Sequence, residues 1–155
     1  MRNVMSIVIA AAFLALTTAA GAQTADELEA ALESPSLSYA TAARFVLEAA
    51  DTGAPVEPEA AFRFAQDRRW LPAAAGPLDP ARLGQVSFLV MRAFKLKGGL
   101  FYSLFPGPHY AYRELIYRRV IQDRSDPAMP VSGDQLFFIL GRILAARSGF
   151  TEEAF

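Results

Sequence analysis

A chain of 155 residues with no cysteine and nearly balanced charge allows one compact domain and hardly more. The lack of cysteine excludes a disulfide framework, a thiolate metal site, a thiol nucleophile and the lipid-modified cysteine of bacterial lipoproteins. The 15 basic and 16 acidic residues give a slightly acidic balance that argues against a nucleic-acid partner.

The N-terminus has the features of a secretory signal peptide. Arg2 supplies a positive charge, residues 4–16 are almost entirely apolar, and residues 20–22 offer small side chains to a signal peptidase. We therefore predict cleavage of residues 1–22, export to the periplasm or cell envelope, and a single mature domain over residues 23–155. A retained anchor is the alternative. No later apolar run reaches the ~20 residues of a spanning helix, so no transmembrane segment is expected after cleavage.

The charges are unevenly distributed along the chain. Residues 25–60 contain eight acidic residues against Arg44 alone, whereas residues 61–124 contain eleven basic and four acidic residues. Two solvated faces that attract each other are the first interpretation of this pattern, and a basic surface that meets an anionic partner is the second.

Apolar residues recur at helical spacing through the mature chain, which predicts an all-α fold packed as a small bundle. Residues 24–27 and residues 132–135 form capping-box patterns that mark helix starts. Leu28 and Leu144 are among the side chains expected to face the core. The predicted helices cover about residues 24–33, 38–50, 57–70, 79–97, 110–121 and 132–148.

Residues 100–110 are rich in aromatic side chains, proline and glycine, which predicts an ordered loop. Docking on a partner protein is one role for these aromatic side chains, and sealing the seam between helical units is the other. The candidate partner-binding residues are Phe101, Tyr102, Phe105 and Tyr110.

An internal repeat is found when the chain is compared with itself at an offset of 50 residues. Ten of the 39 aligned positions are identical, where ordinary composition gives roughly three. Both copies have the order helix, proline-interrupted loop, helix, so we predict repeat units at about residues 58–99 and 108–149. Residues 24–50 are a candidate for a degenerate first unit. Each unit alone would leave an apolar stripe in water, so the units must pack on one another.

The second copy resembles a surface-layer homology (SLH) repeat. The resemblance is carried by Ala111–Leu115, Val120-Ile121, Asp126-Pro127 and Val131–Leu136, and in the first copy by Ala61-Phe62, Trp70–Pro72 and Leu78–Gln85. It implies a helix, a loop and a second helix in each repeat, with several repeats in one bundle. It also implies a non-catalytic role in tethering proteins to anionic cell-wall polysaccharide.

The same resemblance implies one ligand-binding residue. The family's second helix begins with a Thr-Arg-Ala-Glu type tetrapeptide whose arginine meets the acidic group of the polymer. The matching stretches here are residues 81–84 and 131–134, so Arg82 takes the place of that arginine and the second copy has none.

Paired arginines recur at the ends of the first helix in both copies. Interaction with the helix dipole is one explanation for them, and arginine forks that bind carboxylate or phosphate groups are the other. Trp70 is a candidate platform for a sugar ring. The candidate ligand-binding residues are therefore Arg82, Arg68, Arg69, Arg118, Arg119 and Trp70.

The sequence offers little support for catalysis or a cofactor. His109 has Ser103 nearby, but no spacing signature marks a nucleophile. Asp67 and Glu114 are not tied into one cleft, and Glu114 is expected to pair with Arg118 one turn later. A calcium loop at Asp123, Ser125 and Asp134 lacks the required glycine. We therefore predict no enzyme activity, no metal and no cofactor.

Together these patterns predict an exported, non-catalytic binding or scaffolding module of the cell envelope that attaches to an anionic cell-wall or peptidoglycan-linked glycan. An adaptor that docks on another envelope protein through residues 100–110 is the alternative.

Overall fold

The computed structural model describes residues 25–122 and 126–148, and every regular element within these ranges is a helix. The predicted all-α bundle is therefore confirmed. The signal peptide over residues 1–22, the expected cap at Thr24, and the Asp123 and Ser125 positions of the calcium loop lie outside the described residues. The helices are α1 over residues 25–33, α2 Tyr39–Ala49, α3 Pro58–Asp67, α4 Leu83–Ala93, α5 Leu100–Leu104, α6 Pro108–Tyr117 and α7 Gly133–Arg147.

Three helices begin at side-chain caps where the sequence predicts a start. The hydroxyls of Ser38 and Ser132 each accept a backbone N–H from the first turn of α2 and α7, at 3.2 Å. The carboxylate of Glu57 caps α3 by accepting the N–H of Ala60 at 2.7 Å. Each bond satisfies a donor that has no partner inside its own helix, so these starts are fixed by local chemistry.

The start of α4 differs from the prediction. The sequence places it at Asp79-Pro80, whereas α4 begins at Leu83. The Asp79 carboxylate accepts the N–H of Gly76 at 2.7 Å and closes a turn. Pro80 forms an isolated antiparallel bridge with Ser38. Pairing with a distant segment therefore keeps the backbone extended at a position where the local residues favour a helix.

The segment over residues 100–110 is also different, because it is mostly helical and not a loop. It contains α5, and α6 begins at Pro108 instead of Tyr110. Proline is accepted in a first helical turn because the N–H that it lacks would have no partner there. The helix α6 then ends at Tyr117, before the predicted end at residue 121.

The core lies where α2 and α4 meet their neighbours. The helix α2 packs on α3, α4 and α7, while α4 packs on both α2 and α6. The short helix α5 packs on α6. Large, fully buried side chains come from α2, α4, α6 and α7 and include Leu47, Leu83, Leu89, Met91, Leu115, Leu136, Ile139 and Ile143.

Three helix–loop–helix units, at residues 25–49, 58–93 and 108–147, are joined by a cyclic set of backbone hydrogen bonds. Each bond involves the residue just before the N-cap of α2, α4 or α7. Leu37 N–H donates to the Val131 carbonyl at 2.9 Å, Val131 N–H to the Ala81 carbonyl at 2.8 Å, and Ala81 N–H to the Leu37 carbonyl at 2.8 Å. Residues 25–49 thus take part as one of the three units, with a much shorter loop than the units at 58–93 and 108–147.

The ends of the helices repeat in the same way. Arg69 and Arg119, which are 50 residues apart, both have positive φ and follow α3 and α6. Asp51 and Lys95 have positive φ and follow α2 and α4. In all four cases the next residue donates its N–H to a carbonyl five residues earlier, which is the Schellman bond that closes a helix.

Two side chains that were expected in the core are exposed. Leu28 and Leu144 line an apolar groove of about 510 Å³ between α1, α2 and α7. Half-buried Phe45 and Phe137 lie edge to face in the same groove, with ring centroids 4.9 Å apart. The helices separate here, so the apolar stripe continues past the point where the core ends.

Candidate functional site

A cleft of about 970 Å³ opens where the final residues of α2, α3 and α4 lie near the end of α7. Helix C-termini carry a partial negative charge, so cations are favoured at such a place. Asp51 is the one acidic residue in the described part of the cleft wall. We call this site the cationic cleft, and its basic residues are Arg68, Arg92, Lys95 and Arg147.

Arg68 and Arg118 hold equivalent places in the repeat but have different partners. The guanidinium of Arg68 lies 3.4 Å from the centroid of the Phe64 ring and donates to the Phe64 carbonyl at 3.2 Å. Glu114 replaces Phe64 in the next unit, and its carboxylate accepts Arg118 Nε–H at 2.9 Å. Arg118 also donates to the carbonyl of Lys97. One arginine is therefore neutralised by a carboxylate, whereas the other is held by an aromatic face and has no carboxylate partner among residues 25–122 and 126–148.

Aromatic rings form much of the wall beside these cations. Half-buried Trp70 lies edge to face with Phe64, with ring centroids 6.3 Å apart. The guanidinium of Arg147 lies 5.5 Å from the centroid of the Phe94 ring. Arg147 stands in the last turn of α7, so the unit 108–147 supplies a charge to a cleft built mostly by residues of α2, α3, α4 and their C-terminal ends.

Tyr102 reaches the cleft from α5 and is buried. Its hydroxyl lies near the Arg92 guanidinium but makes no hydrogen bond of good geometry with the described residues. Burial raises the pKa of this hydroxyl above its ordinary value, and the positive charge of Arg92 opposes part of that rise. A buried hydroxyl without a well-formed hydrogen bond lowers the stability of the fold, unless a bound ligand accepts a hydrogen bond from it.

Removal of this hydroxyl should raise stability. We expect Tyr102→Phe to increase the free energy of unfolding by about 1 kcal/mol at neutral pH, because an unsatisfied polar group leaves the interior. The raised pKa means that the hydroxyl ionises more readily in the unfolded chain, so unfolding of the native protein should become easier as the pH rises above 10.0. Urea titrations at several pH values would show a shallower alkaline loss in the variant.

The matched control is Tyr39→Phe. The hydroxyl of Tyr39 accepts the backbone N–H of Arg82 at 3.5 Å, so its removal should give no gain at neutral pH. A loss of stability in Tyr102→Phe, or an equal gain in both variants, would contradict the assignment of an unpaired hydroxyl.

The other predicted ligand-binding arginines lie apart from the cleft. Arg82 is the N-cap of α4 and lines a separate groove of about 700 Å³ together with Tyr39 and Asp79. Arg69 and Arg119 are exposed, and their positive φ angles end α3 and α6. Of the six candidate residues, the structure therefore brings only Arg68 and Trp70 together.

The four candidate partner-binding aromatics also separate into two groups. Phe101 and Phe105 are exposed, and half-buried Tyr110 stacks on Phe101 with ring centroids 6.2 Å apart and planes 9° apart. Tyr102 points inward to the cleft. A docking role that depends on exposed rings therefore does not include Tyr102.

The chain stands apart in sequence and structure comparisons. No family model, curated protein or solved structure matches it. Within residues 25–122 and 126–148, no helix is long and apolar enough to cross a membrane. The same residues contain no cluster of three or more acidic or histidine side chains that could hold a metal ion.

The cleft combines cations, aromatic faces and a hydroxyl donor, which suits an anionic ligand that has flat or ring-shaped parts. His109 is exposed on α6 and does not line it. Arg92, Lys95, Arg147 and Phe94 line the cleft but were not predicted as site residues. Nothing local in the sequence indicates that the ends of these separate helices meet.

Proposed function

We propose that this protein is a non-catalytic binding module of the cell envelope that holds an anionic cell-wall glycan in the cationic cleft. The observation that carries the proposal is the charge of the cleft, where four basic side chains face one acidic side chain among the described wall residues. An opening of about 970 Å³ has room for a short stretch of saccharide.

The support for an anionic ligand comes first from Arg68. Its charge is presented on the face of Phe64 at 3.4 Å, with no described carboxylate bound to it. The replacement of a pairing glutamate by an aromatic residue keeps the guanidinium oriented while leaving its outer N–H groups available. A fixed guanidinium binds carboxylate and phosphate groups strongly because little side-chain entropy is lost.

The support for a sugar-containing ligand comes from Trp70. The indole lies beside Arg68, so one ligand could contact an apolar ring face and a cation at once. Sugar rings present C–H faces that stack on aromatic rings, and acidic sugars add a carboxylate or phosphate nearby. This combination agrees with what the SLH resemblance implies, although it lies at a different place from Arg82.

The support for a binding role without chemistry is the composition of the wall. General acid–base catalysis of glycosidic cleavage uses two carboxyl groups on opposite sides of the bond. Asp51 is the one carboxyl group in the described wall, so a second carboxyl group for this reaction is not present there. The basic side chains around it suit the binding of a negatively charged ligand.

A pull-down with purified cell-wall sacculi tests the proposal. We expect the protein to sediment with sacculi, and we expect Arg68→Ala/Arg147→Ala to weaken this binding about 100-fold, because each charge-assisted hydrogen bond is worth about tenfold or more. Binding of the native protein should also weaken as salt is raised, since the attraction is partly screened.

The matched control is Arg63→Ala/Arg113→Ala, which removes two exposed charges outside the cleft. It should bind within about threefold of the native protein, because surface charges away from a ligand act only through a screened field. Equal losses in the two double variants would indicate non-specific adsorption and would count against the cleft. Sedimentation of neither native protein nor variants would remove the glycan from the account.

A further inference from the structure

The short helix α5 presents a cluster of large apolar side chains to solvent, away from the cationic cleft and the apolar groove. We call this cluster the apolar tip. Its members are 60–70% exposed, and none of them lines the cleft, the groove or the cavity at Arg82. The tip consists of Leu100, Phe101, Leu104 and Phe105.

The tip is held in place by polar contacts beneath it. The N–H of Gly99, at the N-cap of α5, donates to the Glu114 carboxylate at 3.0 Å. A side chain at Gly98 would come within 2.7 Å of Tyr102, so α5 sits closely against the preceding backbone. The hydroxyl of exposed Ser103 donates to the Gly98 carbonyl at 3.3 Å. The apolar side chains are therefore displayed by an ordered support, and the Ser103 hydroxyl is bonded to the backbone of that support.

The chain on the N-terminal side of the tip carries positive charge, although Arg92 and Lys95 line the cationic cleft and Arg82 lines its own groove. Residues 80–113 contain five basic residues and no acidic residue. Lys97 is exposed and lies three residues before the first leucine of the tip. The nearest following acid, Glu114, is paired with Arg118 at 2.9 Å. A surface that meets the tip would therefore be attracted if it were anionic.

We propose that the apolar tip docks on an anionic lipid bilayer, with its leucine and phenylalanine side chains in the interfacial region and Lys97 at the headgroups. This surface is separate from the cationic cleft and does not depend on glycan binding. Interfacial elements combine exposed Leu and Phe with flanking Lys or Arg, and they need no directed hydrogen bonds. Contacts with a protein partner usually have polar groups at their rim, whereas the Ser103 hydroxyl already donates to the chain's own backbone.

Fluorescence quenching by brominated lipids tests the depth of the tip directly. The full chain would carry Trp70→Phe and Phe105→Trp, so that the single indole reports on α5. With vesicles of phosphatidylcholine and phosphatidylglycerol, brominated acyl chains should quench this indole about twofold or more, because interfacial elements bury their apolar side chains roughly 5–10 Å deep. Vesicles of phosphatidylcholine alone should quench it less.

The matched control is Trp70→Phe with Leu78→Trp, which puts the indole at another exposed apolar position outside α5. This indole should remain unquenched even if another part of the chain binds the vesicles. Equal quenching of the two indoles, or no quenching at position 105, would overturn the proposal. Quenching that does not depend on phosphatidylglycerol would overturn its electrostatic part. A protein adduct from a cross-linker at position 101 in cells, without quenching, would assign the tip to a protein partner instead.

Discussion

Gly133→Ala is expected to lower the free energy of unfolding by about 3 kcal/mol, at the upper end of the cost of overpacking a tight contact. Gly133 is the first residue of α7, and its N–H donates to the Ser34 carbonyl at 2.9 Å. A Cβ there would overlap the carbonyl oxygen of Ala31 and come within 2.8 Å of that of Leu32. Both obstacles are backbone atoms, so no side-chain rotation relieves them. Urea or thermal unfolding followed by circular dichroism would measure the change.

Gly141→Ala is the control in the same helix. A Cβ at Gly141 meets nothing within 4 Å, so the change should stabilise the protein by about 0.5–1 kcal/mol through the better helix propensity of alanine. The two substitutions are chemically identical and should have opposite signs. A Gly133→Ala variant as stable as the native protein would show that α7 does not approach the end of α1 so closely.

Leu89→Ala should cost about 2–5 kcal/mol, because Leu89 is fully buried and its truncation leaves a cavity. Leu89 belongs to α4, which packs on both α2 and α6. Since α4 is shared in this way, the whole domain should unfold in one transition at a lower denaturant concentration, with an unchanged dependence on denaturant. Chemical denaturation followed by both circular dichroism and Trp70 fluorescence would test this.

The control for this variant is Leu104→Ala, which truncates an exposed leucine of the apolar tip and should change stability by less than about 0.5 kcal/mol. If circular dichroism and Trp70 fluorescence reported different unfolding transitions for Leu89→Ala, the helix–loop–helix units would be independent of one another. That result would contradict a shared core.

Features that depend on neighbouring residues could be predicted from the sequence. The caps at Ser38 and Ser132 and the pair of Glu114 with Arg118 all join residues within one helical turn, so the residue order alone indicates them. The all-α class followed from apolar periodicity. The offset of 50 residues aligned Arg69 with Arg119, and the structure gives these two residues equivalent positive φ angles.

Features that depend on distant contacts could not. The prediction that a helix starts at Asp79-Pro80 was wrong because Pro80 pairs with Ser38, 42 residues earlier in the chain. Residues 100–104 give too short an apolar pattern to distinguish a helix from a loop. The cationic cleft was not predicted because Arg68, Lys95 and Arg147 come from the ends of three helices. These residues lie together only because of how the three helix–loop–helix units pack.

The ring of bonds among Leu37, Ala81 and Val131 limits how the architecture could grow during evolution. Each of the three amides donates a hydrogen bond to one neighbour, and each carbonyl accepts one from the other neighbour. The N–H and C=O groups of all three residues are therefore paired with one another. Open-ended repeat proteins can gain modules at either terminus because their last module still has an unused face. Here a further helix–loop–helix unit could be inserted only if one of these hydrogen bonds were broken. Duplication of the gene would therefore yield two separate three-unit bundles in one chain.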